Sequence, residues 1–465
     1  MSMGVFKAYD VRATYPDPLN EDKAWRIGWA TATFLMAEAS EAGMEGDAAR
    51  TLAIGHDMRR SSPALVRALK DGIAAAGGDV IDVGLVDTPC VGFAINHLGC
   101  CGGIQTTASH NPARYNGFKI SRAKARPVGQ LTGLLEIESL AQDVDREGAA
   151  CVGGRATNQD LWDAYRSHVF TYLDPALKTG DATLTVAIDA SNGMAGTMVP
   201  KIFSDVPGLN IVELYFDNDS GEFVHDPNPL VAANLADLQQ LVIESGADVG
   251  ICFDGDADRC MIVDEQGVII GCDLITAWLA QRFLAREPGG SIVYDLRSSH
   301  ALAEMVREAG GTPVEGRVGH VFMKQMMAEH DAAFGGELSG HFYFRDNAYA
   351  DSGAMAMAAI ASALATDGRP LSEIIAPARR YAQSGEINFE VDDKDAAMAR
   401  LVAAYPDATV TRLDGVTVDM GRWWCNVRPS NTEPLLRLNL EAADVASVEA
   451  CVQEVSAHLG TRVDH

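Results

Sequence analysis

Positive charge is scarce in this sequence. Against 64 aspartates and glutamates stand 37 lysines and arginines, leaving a formal net charge of −27 over 465 residues. A nucleic-acid surface needs clustered cations to displace counterions from a polyphosphate backbone, so no nucleic-acid partner is expected. Long apolar runs are also missing. The richest stretch, Ala354–Ala365, is alanine-heavy and shorter than the ~18–20 residues of a bilayer span. The opening residues Met1-Ser2-Met3-Gly4-Val5-Phe6-Lys7 pass straight into polar sequence without a signal-peptide apolar core. A soluble cytoplasmic protein without a membrane partner is the expectation. Nine cysteines are scattered with no C-x-x-C pair, which disfavours both a disulfide framework and a zinc site.

What is present is ordinary globular material, 47% apolar and 22% charged. The length suggests three or four domains at roughly 100–200 residues each. Thr51–Ile54 reads as a strand. Ser62 follows as an N-cap with Pro63 at the first helical position, and Leu65, Leu69 and Ile73 recur at helical spacing until Gly77-Gly78. Val80–Val83 is the next strand, which makes a βαβ unit and predicts parallel pairing. The polar stretch Arg146–Asn158 reads as a linker. Further on, Leu184–Ile188, Val249–Phe253, Cys260–Val263 and Ser291–Tyr294 read as strands and Leu235–Glu244 as a helix.

After Asp367-Gly368-Arg369-Pro370 the character changes. Strands are expected at Ile387–Val391, Val416–Met420, Trp423–Val427 and Leu435–Leu440, then a helix carrying Val445, Val448, Val452, Val455 and Leu459 on one face. The expected architecture is three similar mixed-sheet α/β/α domains and a smaller α+β domain, around a central cleft. The expected boundaries are 1–150, 157–252, 253–370 and 378–465.

Net acidity repels a phosphorylated ligand at long range, so such a ligand would need local arginines, lysines or a metal ion. The sharpest motif supplies the last. In Asp254-Gly255-Asp256-Ala257-Asp258-Arg259, carboxylates at alternate positions of an extended chain project to one side, as oxygen ligands of a hard divalent cation. Glu265 falls at position twelve of an EF-hand, but Arg259 replaces the glycine needed at position six. Following the strand Val249–Phe253, the loop suits Mg²⁺ with a phosphate partner better than a solvated acidic turn.

A second motif is Thr106-Thr107-Ala108-Ser109-His110-Asn111-Pro112. Ser109 at a strand-to-turn junction can be an exposed nucleophile, although it is not in a G-x-S-x-G elbow. His110, adjacent in an extended chain, points the other way and need not be its base. Asn116-Gly117 is a hairpin signal that places Lys119 on the following strand. In the third motif, Gly335-Gly336-Glu337-Leu338-Ser339-Gly340-His341, the residues Glu337, Ser339 and His341 share a face of an extended chain and suit sugar hydroxyls. The fourth, Arg428-Pro429-Ser430-Asn431-Thr432-Glu433-Pro434, offers a guanidinium fork and neutral donors for phosphate in a proline-stiffened loop. Each of these is also an ordinary turn composition. Tyr9, Arg12, Arg297 and His320 are weaker candidates.

The four loops, in this order and spacing, resemble the α-D-phosphohexomutase family over essentially the whole chain. Tyr9-Asp10-Val11-Arg12, Gly55–Pro63, Asp226-Pro227-Asn228-Pro229 and Tyr294-Asp295-Leu296-Arg297-Ser298-Ser299 fit as well. Glu337-Leu338-Ser339 and Tyr115–Lys119 look most like the phosphomannomutase/phosphoglucomutase branch. The phosphoglucosamine branch usually has glutamine for Leu338 and glycine for Asn431. Departures from the family are Ala13, where glycine is common, and His56, where arginine is frequent.

The resemblance implies a phosphohexomutase, an intramolecular phosphotransferase acting between C1 and C6 of a mannose or glucose phosphate. Phospho-Ser109 and a hexose 1,6-bisphosphate would be the intermediates, the latter also the activator. It implies Mg²⁺ on Asp254, Asp256, Asp258 and the Ser109 phosphate, with Arg259 adding charge. Lys119, His320 and His341 become acid–base candidates. Glu337, Ser339 and His341 would hold the sugar, and Arg428, Ser430, Asn431 and Thr432 the idle phosphate, with Tyr9, Arg12 and Arg297 nearby. The chain would be a monomer or small homo-oligomer. The alternatives are a phosphoglucosamine mutase, a Mg²⁺-dependent sugar phosphatase and a non-catalytic sugar-phosphate sensor.

Overall fold

The computed structural model describes residues 3–146, 149, 153–430 and 435–463. The chain forms two compact units, Met1–Ile270 with Ser339–Ser372, and Gly271–Leu338 with Glu373–His465. Three α/β layers are followed by a mainly antiparallel C-terminal sheet carrying helices. Among the described residues no helix is long and apolar enough to cross a membrane.

In the first unit, the parallel strands Gly102–Thr106, Thr51–His56, Asp79–Leu85 and Ala156–Asn158 lie side by side. Tyr115–Arg122 adds antiparallel to Gly102–Thr106, and Val11–Thr14 adds antiparallel to it. The mixed sheet follows from connection length, because the helices between the first strands enforce parallel crossovers while a short loop returns the chain at 107–114. The helix Ser62–Ala75 buries Leu65, Leu69 and Ile73, each removing apolar area worth about 2 kcal/mol. Its N-cap is Ser61, one residue before the expected position; the Ser62 hydroxyl instead donates to Asp57 Oδ1 at 2.6 Å. Part of the expected linker, Ala156–Asn158, is the edge strand of this sheet.

Asn116-Gly117 is not a hairpin turn. It lies inside the strand Tyr115–Arg122, where a Cβ on Gly117 would stand 2.0 Å from the Val11 carbonyl oxygen. The glycine serves close strand approach, and the Asn116 amide donates to the Ser61 and Ser62 hydroxyls at 2.8 and 3.0 Å.

The second sheet runs Ile269–Ile270, Cys260–Asp264, Val249–Phe253, Leu184–Asp189, Leu209–Leu214. Val249–Phe253 is parallel to Leu184–Asp189 and antiparallel to Cys260–Asp264, so the acidic loop is the tip of a buried hairpin within this sheet. A domain boundary at 253 would cut that hairpin, and the acidic loop therefore sits with the second layer rather than the third. The alanine-rich stretch is the helix Gly353–Asp367, buried along all but its last turn, as expected of a helix apolar on every side.

In the second unit, Ser291–Asp295 pairs in parallel with Thr312–Gly316 and Phe334–Gly336. The C-terminal sheet runs Thr409–Thr411, Val416–Asp419, Trp423–Pro429, Leu435–Ala442, Ile387–Glu390, Thr461–Val463. Its core contains Phe389, Leu401, Val418, Leu436, Val448 and Val455. On the last helix, Val445–Ser456, Val448 and Val455 are buried while Val445, in its first turn, is exposed.

Candidate active site

The strand Gly102–Thr106 is buried throughout and delivers the chain to Ser109, which is 1% exposed. Ser109 is left-handed, with φ 50°, a conformation that costs a non-glycine residue roughly 1–2 kcal/mol. Its N–H donates to Thr107 Oγ1 at 3.0 Å. The turn alters the expected relation to His110. Because Ser109 is not extended, its Oγ lies 3.3 Å from His110 Nδ1, and it donates to Asp254 Oδ2 at 2.8 Å. Burial, then the cations Arg259, Arg12 and Lys119, hold the His110 imidazole well below its usual range, so it is neutral.

The acidic loop is also a turn rather than extended chain. Ala257 has φ 57°, and Gly255 approaches so closely that a Cβ would stand 2.4 Å from the Ser109 carbonyl oxygen. Carboxylate oxygens of Asp254, Asp256 and Asp258 come within 4.8 Å of one another, all three buried. The convergence expected from alternation is thus achieved by the turn. Burial and the charges of Asp258 and Asp256 push Asp254 well above the usual carboxylate range. Asp258 is held below it, where burial is outweighed by Lys119 and His341.

Lys119 Nζ donates to Asp256 Oδ2 at 2.7 Å and to Asp258 Oδ2 at 2.5 Å. Burial opposes the Lys119 charge, yet Asp256, Asp258 and Asp254 raise its pKa overall. Arg259 Nε stands 3.7 Å from Asp254 and 3.9 Å from Asp258. Asp256 Oδ1 and Asp258 Oδ1 are buried with no hydrogen-bond partner among the described residues. Three clustered carboxylates, two with an oxygen left over, fit a hard divalent cation.

Thr88 and Asp351, which are not among the sequence candidates, complete this half of the site together with Arg12 and Tyr9, which are. Thr88 Oγ1 donates to Asp256 Oδ2, and Thr88 N–H donates to the Asp256 carbonyl at 3.1 Å. Asp351 lies 2.7 Å from His341 Nδ1, which is 3.8 Å from Asp258. Arg12 donates to Asn111 Oδ1 at 2.7 Å and pairs with Asp10. Tyr9 is half-buried in the segment before Val11–Thr14.

The second unit gathers the other candidates. Arg297 donates to both oxygens of Asp295, at 2.8 and 3.0 Å. Glu337 Oε1 accepts from the Gly319 N–H at 2.8 Å, beside His320 at the start of its helix. Glu337, Ser339 and His341 do not share an extended face. The segment turns, with Gly340 at φ 88°, and Glu337 belongs to the second unit while Ser339 and His341 belong to the first. Arg428 and Arg437 are cross-strand partners, and both reach Glu386. Arg297 is 4.0 Å from the same carboxylate. Three guanidiniums on one carboxylate make a cationic patch suited to a dianionic phosphate. Ser430 N–H donates to the Leu435 carbonyl at 2.8 Å; Asn431 and Thr432 lie outside the described residues.

Models of phosphoglucomutase/phosphomannomutase domains match the chain in four successive stretches. They are alpha/beta/alpha domain I over residues 3–147, domain II over 163–267, domain III over 272–381, and the C-terminal domain over 386–458. A Xanthomonas campestris pv. campestris (strain B100) protein described as "Phosphohexose mutases" is 41% identical over 462 residues, 98% of this chain and 99% of its own. A phosphomannomutase of Escherichia coli K12 is 39% identical over 454 residues, 96% of each chain. The crystal structure of a Burkholderia thailandensis phosphoglucomutase/phosphomannomutase family protein superposes with a TM-score of 0.85 at 31% identity, covering 98% of this chain and 97% of that one.

Proposed function

Because the chain belongs to the phosphoglucomutase/phosphomannomutase family and is a hexose-phosphate mutase, we propose that it shifts phosphate reversibly between C1 and C6 of mannose or glucose through phospho-Ser109 and a bound hexose 1,6-bisphosphate. Phosphoryl transfer asks a protein mainly to position groups and to stabilise charge. In the first half-reaction the bond from Ser109 Oγ to phosphorus breaks and a bond from the free sugar hydroxyl to phosphorus forms. The hydroxyl's proton ends on Ser109 Oγ. The bisphosphate turns over, and its other phosphate returns to Oγ by the reverse step, which releases the proton to the new sugar hydroxyl. His110, neutral and 3.3 Å from Oγ, is suited to relay that proton. Lys119 stays an ammonium between two aspartates and serves as fixed charge rather than as base.

Asp254, Asp256 and Asp258 would hold Mg²⁺ together with a phosphoserine oxygen; when bound, the ion supplies charge neutralisation and Lewis-acid polarisation of the phosphoryl group. Arg259 adds positive charge at the same place. Arg428 and Ser430, with Asn431 and Thr432, would grip the phosphate that is not moving, aided by Arg297. Glu337, Ser339 and His341 would hold sugar hydroxyls in either orientation, and Tyr9 and Arg12 would complete the rim around Ser109. The observation that carries this reading is the Ser109 hydroxyl, held in a strained turn 2.8 Å from Asp254 amid three converging carboxylates.

Incubation of mannose 1-phosphate or glucose 1-phosphate with Mg²⁺ and catalytic glucose 1,6-bisphosphate should yield the 6-phosphate. Ser109→Ala should abolish most turnover while the fold stays intact. Release of inorganic phosphate in place of the 6-phosphate would make the enzyme a phosphatase and refute the proposal.

A further inference from the structure

The stretch Gly55–Pro63 contains a charge that the mechanism does not use. Arg59 is 1% exposed, and it sits at the end of the strand Thr51–His56, beside the strand that leads to Ser109. All five N–H groups of its guanidinium are engaged. Nε donates to Asp57 Oδ2 at 3.0 Å. Nη1 donates to the carbonyls of Pro112 and Tyr115 at 2.8 and 3.0 Å, and Nη2 to those of Ser109 and Asn111 at 2.8 and 2.7 Å. Three carbonyls of the 107–114 loop and that of Tyr115, the first residue of the next strand, therefore converge on one side chain.

The geometry points to Arg59 as the positioning residue that holds Ser109 in its left-handed conformation facing Asp254, so that phosphoryl transfer depends on Arg59 although it touches no reacting atom. A strained residue persists only where its surroundings over-determine it. Here the Ser109 carbonyl is buried and takes its donor from Arg59, and the Pro112 carbonyl takes the Arg59 donor alongside the Tyr115 N–H at 3.0 Å. A planar guanidinium supplies such donors in two directions at once.

Arg59 is itself fixed. Its backbone N–H donates to Asp57 Oδ1 at 3.1 Å, Ser62 Oγ donates to the same oxygen, and the Phe223 ring covers the guanidinium at 5.1 Å. Asp57 is anchored in turn by its N–H on the Thr106 carbonyl at 3.0 Å. The clamp thus ties the Ser109 turn to the strand Thr51–His56 at both its start and its end. Lysine cannot replace it, because an ammonium presents its donors from one point and has no planar fork.

The inference rests on the assignment of Ser109 as the phosphorylated residue, and one experiment separates the two. Wild type, Arg59→Lys and Asp57→Asn are treated with glucose 1,6-bisphosphate, and intact mass gives the phosphorylatable fraction of each. Turnover is then expressed per phosphorylatable molecule, with KM for glucose 1-phosphate measured alongside. Misplacing reacting atoms by an ångström can cost ~100-fold, so kcat per phosphorylatable enzyme should fall at least about tenfold in Arg59→Lys, with KM within about threefold of wild type. Asp57→Asn, which loosens the clamp but keeps its volume, should move kcat the same way and decides the matter if Arg59→Lys does not fold. A folded variant that no longer takes up phosphate also supports the inference. Wild-type kcat per phosphorylatable molecule in the folded variants would reduce Arg59 to a packing role and overturn it. A wild-type enzyme that gains no phosphate at Ser109 would instead overturn the assignment beneath it.

Discussion

Lys119→Met makes the sharpest use of the charge balance in the acidic loop. The Lys119 ammonium lies 2.7 Å from Asp256 and 2.5 Å from Asp258, with only 18% of its side chain exposed. Removing one partner from a buried charge pair costs about 3–5 kcal/mol, because the remaining charges stay uncompensated. Partial exposure of Lys119 puts the expected loss near the lower end, about 3 kcal/mol, in protein stripped of divalent cations. The same substitution removes a cation that competes for Asp256 Oδ2 and Asp258 Oδ2. Mg²⁺ should then bind at least about tenfold more tightly, equivalent to ~1.4 kcal/mol. Added Mg²⁺ at about a hundred times Kd stabilises by ~2.7 kcal/mol in either protein, so at one fixed concentration the variant gains more. Urea unfolding of both proteins with EDTA and across a MgCl₂ series measures this, and turnover is followed in parallel. The variant should be weaker without metal by about 3 kcal/mol, recover about half of that deficit at saturating Mg²⁺, and still be slow in catalysis. An equal increment from Mg²⁺ in both proteins, or weaker Mg²⁺ binding in the variant, would refute the reasoning.

Arg428→Ala should raise KM for hexose phosphate by the equivalent of ~1.5–3 kcal/mol, the worth of a charged hydrogen bond, and an unchanged KM would remove Arg428 from the phosphate grip. Asp254 is held well above the usual carboxylate range by burial and then by Asp258 and Asp256. Its proton must leave before a cation binds, so Mg²⁺ affinity should climb with pH above that range; calorimetry showing a flat profile would contradict this. Burial raises Asp87 to about 7 against an ordinary 3.8, while Tyr165 donates to it at 2.9 Å. Between those values the folded protein keeps a proton that the unfolded chain has lost, so stability falls as pH rises from about 4 to about 7, by up to ~4 kcal/mol. Asp87→Asn should flatten that slope in urea unfolding across the same window, and a slope equal to wild type would place the effect elsewhere.

Sequence pattern carried the fold where local physics decides it. The run Val249–Phe253 is apolar at every position because its strand is buried on both faces. Leu65, Leu69 and Ile73 sit under their helix as the periodicity predicts. The acidic loop and Ser109 were legible because short motifs follow those strands. What failed were readings that assumed extended backbone. Ser109, Ala257 and Gly340 all adopt positive φ, and the turns they make bring His110 beside Ser109 and draw the three aspartates together. Asn116-Gly117 misled because its glycine answers to the Val11 carbonyl on a neighbouring strand, a contact 106 residues away in the chain. Thr88 and Asp351 carried no signal of their own, and Arg59 stood only within the stretch Gly55–Pro63, with no role read for it. Each meets the site from another strand or helix end, so tertiary placement alone reveals it.

Storage of phosphate on Ser109 is the claim that everything else serves, and mass spectrometry tests it directly. Wild-type enzyme exposed to glucose 1,6-bisphosphate and Mg²⁺ should gain one phosphoryl group, mapped to the peptide containing Ser109, and lose it on addition of excess glucose 1-phosphate, whose free 6-hydroxyl is the acceptor. Ser109→Ala should gain nothing. Steady isomerisation with Ser109 never phosphorylated, or with the phosphate on another residue, would contradict the account.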